Sequence, residues 1–135
     1  MKKLLLLVIL LSNYQAYCQQ KIKEDFDKFF EEFSFNEEFQ KARIEFPLLT
    51  IRYNSDYTAY DTIYIKKEEW QYNSFYFRTE WRARGQIYDS FKHESRDTDE
   101  RVFEWKGIGN GVQDLYFFKR INGKWYLIKN LDRST

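Results

Sequence analysis

Apolar side chains near the start of the chain recur with the period of a helix. Between residues 21 and 33 they form one stripe, made of Ile22, Phe26, Phe29, Phe30 and Phe33. Lysine, aspartate and glutamate fill the positions between them, so one face is aromatic and the opposite face is charged. The pattern predicts an amphipathic helix over 21–33 whose phenylalanine face packs on a sheet.

A second, shorter helix is predicted directly after the first. Ser34 with Glu37 three residues later has the form of a capping box. Asn36, which precedes two glutamates, is an alternative N-cap. Pro47 is expected to end the helical region, because proline cannot continue an α-helix.

After the proline the hydrophobic period changes to two, which is typical of strands. The predicted strands include 48–53, 57–65, 75–84, 113–121 and 124–131, and the third has the clearest alternation. Gly85 interrupts the third, and shorter strands are predicted at 86–92 and 102–106. The turn signals are Asn54-Ser55-Asp56 and Asn122-Gly123, and the second predicts a two-residue type I′ hairpin. Two helices followed by five or six antiparallel strands predict an α+β fold, with N-terminal helices packed on a strongly curved antiparallel sheet.

The first eighteen residues have the pattern of a secretory signal peptide. Two lysines precede an apolar run over 4–11 that is too short to span a bilayer as a helix. Cleavage between Cys18 and Gln19 would leave 19–135 as one exported domain, periplasmic or extracellular. The alternative is a lipid anchor on Cys18, which normally needs a small residue before the cysteine, and Tyr17 is bulky.

Composition narrows the classes of function. Cleavage after Cys18 would remove the one cysteine, so neither a disulfide nor a thiolate metal site is expected. Aromatic residues make up 21% of the chain and can supply a large core in place of crosslinks. Loss of Lys2 and Lys3 with the signal peptide leaves 20 basic against 21 acidic groups, a net charge of −1. Charges of both signs are interspersed, which argues against a nucleic-acid partner.

Several stretches of the chain carry a resemblance to a known family. They are 26–30, 39–48, 69–70 and 116–127, the last an aromatic hairpin with tryptophan after its glycine turn. The chain resembles a small family of exported bacterial proteins of unknown function that has the cone-shaped nuclear-transport-factor-two-like fold. The resemblance implies a bent sheet around a pocket that the helices partly close. It carries over no catalytic residues.

The final hairpin suggests which side chains could line such a pocket. A two-residue turn places Phe118 opposite Leu127, and both share one side of the sheet with Trp125. The candidate pocket-lining set is Phe77, Trp81, Trp105, Phe118, Trp125 and Leu127. These residues either surround an apolar or sugar-like ligand or fill the core.

Enzymes with the cone fold, by the same resemblance, place an aspartate or histidine base in the pocket beside a tyrosine or acid donor. Asp61 and Asp114 are the candidate bases, because they are the acids within predicted strands. His93 borders a charged loop and is expected to be solvated. No metal-ligand spacing and no cofactor motif is present.

Two hypotheses follow. The first is a non-catalytic exported binding or interaction domain for a small apolar ligand, a glycan or another protein, with a homodimer as a further possibility. The second is a cofactor-free isomerase, dehydratase or hydrolase that uses a pocket aspartate and a tyrosine. An aspartate that faces a cavity beside a tyrosine hydroxyl would favour the second.

Overall fold

The computed structural model describes residues 22–75 and 82–135. The helices are α1 (Phe26–Phe35) and α2 (Glu37–Ala42). The strands are β1 (Ile44–Tyr53), β2 (Tyr60–Ile65), β3 (Ala83–Tyr88), β4 (Glu100–Gly107), β5 (Gln113–Ile121) and β6 (Lys124–Asp132). The predicted signal peptide, the cleavage site at Cys18 and Gln19, and the candidates Phe77 and Trp81 lie outside the described residues.

The six strands form one sheet in the order β2-β1-β6-β5-β4-β3. β1 runs parallel to β6, and the other neighbours are antiparallel. The α+β class is correct, but the prediction of a wholly antiparallel sheet is wrong. A period of two tells which face a side chain occupies and leaves open which strand lies alongside.

Both helices begin at side-chain caps. The Asp25 carboxylate accepts a hydrogen bond from the Lys28 backbone N–H at 3.0 Å, so α1 starts at Phe26. Ile22, predicted to lie in the helical stripe, is instead 93% exposed. For α2 the alternative cap is the correct one: the Asn36 side chain accepts from the Phe39 N–H at 3.1 Å.

The phenylalanine face of α1 packs on the sheet, as its spacing predicts. The ring of Phe118, on β5, lies 5.3–5.8 Å between centroids from the rings of Phe26, Phe29, Phe30 and Phe33. All four contacts are edge-to-face, the geometry that aromatic quadrupoles favour. This aromatic layer is the centre of the main core.

The predicted hairpin register is confirmed. Ile121 pairs with Lys124, and Phe118 pairs with Leu127. Asn122 and Gly123 have φ of +51° and +85°, the left-handed conformations that a type I′ turn requires.

Two of the differences between predicted and observed strand boundaries involve a proline and a glycine. β1 begins at Ile44 and runs through Pro47, which sits where the β1–β6 register is irregular between Ile44 and Leu49. The missing N–H of proline is tolerated at such an irregularity. β3 runs through Gly85, where an added Cβ would lie 2.9 Å from the Phe103 ring, so this glycine makes room for a packed aromatic side chain.

Among residues 22–75 and 82–135, neither helix has the length and apolar character needed to cross a membrane.

Candidate functional site

Among the described residues, a cavity that is open to solvent has a volume of about 710 Å³. Trp105 of β4 and Tyr116 of β5 line it and also belong to the main core, so the cavity lies on the face of the sheet that carries the helices. The segment 69–73, which follows β2, forms a second wall that includes Trp70. Aromatic walls with a few polar groups are typical of small-molecule sites.

Strand alternation on β5 brings an acid into this cavity. Tyr116 and Phe118 face the helices, whereas Leu115 and Phe117 face the opposite side of the sheet. Asp114 shares the face of Tyr116 and lines the cavity beside it.

The carboxylate of Asp114 is held by two neutral donors. The Tyr116 hydroxyl donates to Oδ2 at 2.6 Å, and the Asn130 amide donates to Oδ1 at 2.5 Å. Burial raises the pKa of Asp114 to about 6 against the effect of these hydrogen bonds, and the nearby Asp132 carboxylate adds to the rise. Asp114 therefore changes its charge near neutral pH.

The tyrosine hydroxyl is engaged on both sides. It donates to Asp114 and accepts from the Asn73 amide at 3.1 Å. Burial, together with the charge of Asp114, raises the pKa of Tyr116 well above its ordinary value. The site thus contains a proton acceptor of raised pKa, with the adjacent hydroxyl oriented toward it.

A buried glutamine fixes the wall formed by 69–73. Gln40 of α2 is 0% exposed. Its amide donates to the carbonyls of Phe33 and Asn73, at 2.9 and 2.8 Å. Its oxygen accepts from the Trp70 indole and from the Asn73 backbone N–H, at 3.0 and 3.2 Å. All four hydrogen-bonding positions of the amide are filled, which ties the wall to the helices.

The floor of the site is a row of side chains that crosses the strands. Asp61 pairs with Arg52, Arg52 with Asp132, and Asp132 with Asp114. Asp114 in turn pairs with Trp105. Residues in register on neighbouring strands share a face, so these five side chains form one line across β2, β1, β6, β5 and β4.

The predicted site residues do not all lie in the cavity. Phe118, Trp125 and Leu127 are 0% exposed and belong to the core, so the core-filling interpretation applies to them. Trp105 is 4% exposed and belongs to the same core, and it also lines the cavity. Asp61 is exposed on β2 and lines a neighbouring depression rather than this cavity.

Sequence reasoning missed several residues of the site: Gln40, Trp70, Asn73, Tyr116 and Asn130. Alternation from Phe118 back to Asp114 could have identified Tyr116. The others reach the site from separate elements, and no local pattern marks them. In the described part of the chain, no three His, Cys, Asp or Glu side chains are grouped so that they could hold a metal ion.

The raised pKa of Asp114 predicts a pH-dependent stability. In the unfolded chain an aspartate has a pKa of about 3.9, so between about pH 4 and 6 the folded state binds more protons. Stability from this group is present at low pH and lost as pH rises through about 6. Relative to Asp114→Asn, the free energy of unfolding of the wild type should fall by about 2–3 kcal/mol from pH 4 to pH 7. Urea titrations at several pH values measure the free energy of unfolding of both proteins. Parallel pH dependences of that free energy would contradict the prediction.

Comparisons with known proteins agree with this architecture. A family model for a Bacteroides domain of unknown function matches residues 24–133. No curated protein matches the chain.

Three solved structures are similar in fold. An NTF2-like (nuclear-transport-factor-two-like) protein from Bacteroides fragilis is 22% identical, with a TM-score of 0.62; the alignment covers 84% of this chain and 48% of that one. A cystatin-like protein from Bacteroides caccae is 22% identical, with a TM-score of 0.52 and coverage of 81% and 76%. A protein from Bacteroides uniformis, solved by NMR, is 20% identical, with a TM-score of 0.52 and coverage of 80% and 76%. This chain therefore spans about half the length of the Bacteroides fragilis protein, and the likeness extends to the fold.

Proposed function

We propose that this chain, which belongs to the Bacteroides family of domains of unknown function with the nuclear-transport-factor-two-like fold, is an exported, non-catalytic domain. It would bind a ligand in the cavity beside Asp114. The observation that carries the proposal is the cavity itself. Its volume of about 710 Å³ lies within the 300–1,000 Å³ typical of small-molecule sites. Trp70 supplies partly exposed aromatic surface, backed by the buried rings of Trp105 and Tyr116, and Asp114 supplies a hydrogen-bond acceptor.

The hydrogen bonds at Asp114 favour binding over catalysis. An enzyme of the acid–base type needs a donor aimed at the substrate while the base abstracts a proton. Here the Tyr116 hydroxyl donates to the carboxylate itself at 2.6 Å. Its oxygen already accepts from Asn73, and the tyrosine is only 6% exposed. The Asp114 carboxylate is therefore available to a ligand as a hydrogen-bond acceptor, whereas the Tyr116 proton is already used in the hydrogen bond to Asp114.

The test is a binding screen of the purified protein, read by amide NMR. The probes are neutral hexasaccharides (cellohexaose and maltohexaose) and the apolar amphiphile deoxycholate. Binding should shift the resonances of residues 69–73 and of Trp105. Gln71→Trp, which obstructs the lining wall, should weaken it, whereas Glu68→Trp on the preceding exposed turn should leave it unchanged. Failure of every probe, or equal binding by both variants, would argue against the cavity as a binding site.

A second candidate function rests on the same aspartate. With a pKa of about 6, Asp114 could act as a general base of a cofactor-free isomerase or dehydratase. A β,γ-unsaturated ketone, whose conjugation is followed by ultraviolet absorbance, is a suitable probe. Turnover should rise with pH through about 6, as the carboxylate ionises, and disappear in Asp114→Asn. Absence of turnover, or turnover that persists in that variant, would exclude this function for the probe class.

Export is the remaining part of the proposal and rests on the N-terminal pattern of lysines and an apolar run. Expressed in a Gram-negative host, the chain should be recovered outside the cytoplasm with Gln19 as its first residue, as measured by mass spectrometry. An uncleaved chain would contradict export by this route. An acylated Cys18 would identify the lipid anchor instead.

A further inference from the structure

We propose that the ligand is an extended neutral oligosaccharide that lies across the strands, from the cavity beside Asp114 to the tip of the β1–β2 hairpin. This inference rests on the binding function proposed above and names its ligand class. It is carried by the adjacency of two depressions, by the length of their common floor, and by the chemistry along that floor.

A second depression adjoins the cavity. The second has a volume of about 510 Å³ and shares two lining residues with the first, Arg52 and Ser134. Its other walls come from the β1–β2 hairpin, including Tyr53 and Tyr57. The two depressions together form a groove centred on Arg52.

The floor of this groove is the row described above, from Trp105 through Asp114, Asp132 and Arg52 to Asp61. It crosses four steps between neighbouring strands. At about 4.8 Å for each step, the row is about 19 Å long. A compact ligand would fill one end only, whereas a chain of linked units could contact the whole row.

Both ends of the groove present aromatic rings. Trp70 and Trp105 line the cavity end. At the hairpin end Tyr57, which is 62% exposed, lines the second depression. Sugar rings have apolar faces of C–H groups that pack on aromatic rings, and hydroxyls at their edges that need hydrogen-bond partners. The spacing of rings at the ends and polar groups between them suits such a ligand.

The charged groups between the rings keep hydrogen-bonding capacity for hydroxyls, although Asp114 and Asp132 each already accept hydrogen bonds within the protein. Within the described ranges 22–75 and 82–135, neither Arg52 nor the three aspartates of the row take part in an ion pair. Carboxylates accept hydrogen bonds from hydroxyls, and the guanidinium donates to them. Three aspartates against one arginine disfavour an anionic polymer, and an apolar ligand would bury charged groups without compensation.

The position of the groove also argues against an extended peptide as the ligand. Extended peptides commonly bind by adding a strand to a free sheet edge, where backbone groups are unpaired. The groove instead crosses the strands on the face of the sheet, and its central residue, Arg52, lies on the interior strand β1. Side chains, rather than backbone groups, would make the contacts.

Chain-length dependence provides the test. Calorimetric titration of the purified protein compares cellohexaose, maltohexaose, xylohexaose and mannohexaose with the matching disaccharides and with hexagalacturonic acid. At least one neutral hexasaccharide should bind more tightly than its disaccharide, and the acidic hexamer should not bind. Tyr57→Ala should weaken hexasaccharide binding about threefold to tenfold and leave disaccharide binding unchanged. Tyr64→Ala is the matched control, because Tyr64 is also 62% exposed but lines neither depression.

The outcomes are distinct. If none of the neutral hexasaccharides binds, or if hexamer and dimer bind equally well and Tyr57→Ala changes neither, the inference is wrong. Deoxycholate binding that is sensitive to Gln71→Trp, with no oligosaccharide binding, would overturn the ligand class and keep the binding function. Absence of binding by every probe would count against both.

Discussion

Trp125→Ala should lower the free energy of unfolding by about 3–5 kcal/mol, the largest effect expected for a single side chain in this protein. Trp125 is 0% exposed. Its ring packs edge-to-face on Phe26 at 5.0 Å between centroids, and the guanidinium of Arg120 lies 4.7 Å from the ring centroid. Removing the ring leaves a cavity between α1 and the final hairpin, and it abolishes both contacts.

The same residue anchors the segment that precedes α1. The Trp125 indole donates to the Glu24 carbonyl at 3.0 Å, and its backbone N–H donates to the Glu24 carboxylate at 2.7 Å. Arg43 donates to both oxygens of that carboxylate at 2.9 Å. Urea unfolding measures the change. Trp125→Phe, which keeps a ring but loses the indole N–H, should fall between the wild type and Trp125→Ala, and exposed Tyr64→Ala should lie within about 0.5 kcal/mol of the wild type. A Trp125→Ala protein with unchanged unfolding would show that the packing of α1 on this hairpin contributes little.

Gln40→Met should cost about 2–4 kcal/mol, the second large effect, although the substitution keeps most of the side-chain volume. The amide of Gln40 forms four hydrogen bonds, to Phe33, Trp70 and Asn73. Methionine satisfies none of these groups, and each loses its partner in a partly buried site. Gln71→Met, at an exposed position of the adjoining wall, is the matched control and should lie within about 0.5 kcal/mol of the wild type.

Hydrogen exchange shows whether this loss is local to the cavity wall. The Asn73 backbone N–H donates to the Gln40 oxygen at 3.2 Å, so its exchange should accelerate in Gln40→Met. Amides of β5, which lies in the interior of the sheet, should change only as far as global stability falls. Equal acceleration at Asn73 and throughout β5 would mean that Gln40 supports the fold as a whole rather than the wall.

Local sequence patterns correctly predicted the parts of the fold in which the contacting residues are close together in the chain. The bounds of β5, Gln113–Ile121, match the prediction, and so does the register of the hairpin. The start of α1 was misplaced because Asp25, rather than the apolar period, decides where the helix begins. Helix ends depend on single capping side chains, and a periodic pattern cannot resolve them.

The candidate site was only partly predictable, because its geometry depends on strand order. Asp61 and Asp114 were equivalent from the sequence, each an acid within a strand. The structure distinguishes them by position in the sheet. Asp114 lies on interior strand β5, beside the core, whereas Asp61 lies on the edge strand β2. Asp114 and its neighbours across the sheet, Asp132 and Trp105, lie on three different strands, and only the tertiary structure brings them together.

The parallel pairing of β1 with β6 has a consequence for how the chain reaches its destination. Leu49 pairs with Lys129, so the first strand completes its ladder only after the last strand has been delivered. β1 and β6 are far apart in the sequence, so bringing them together costs the most conformational entropy and is the slow step of folding for such a topology. In a chain that is still crossing the membrane, with its C-terminal strand not yet delivered, β1 can pair with β2 on one edge but has no partner on the other. If the chain is exported as proposed above, its sheet can be completed only after the C-terminal strand has crossed the membrane.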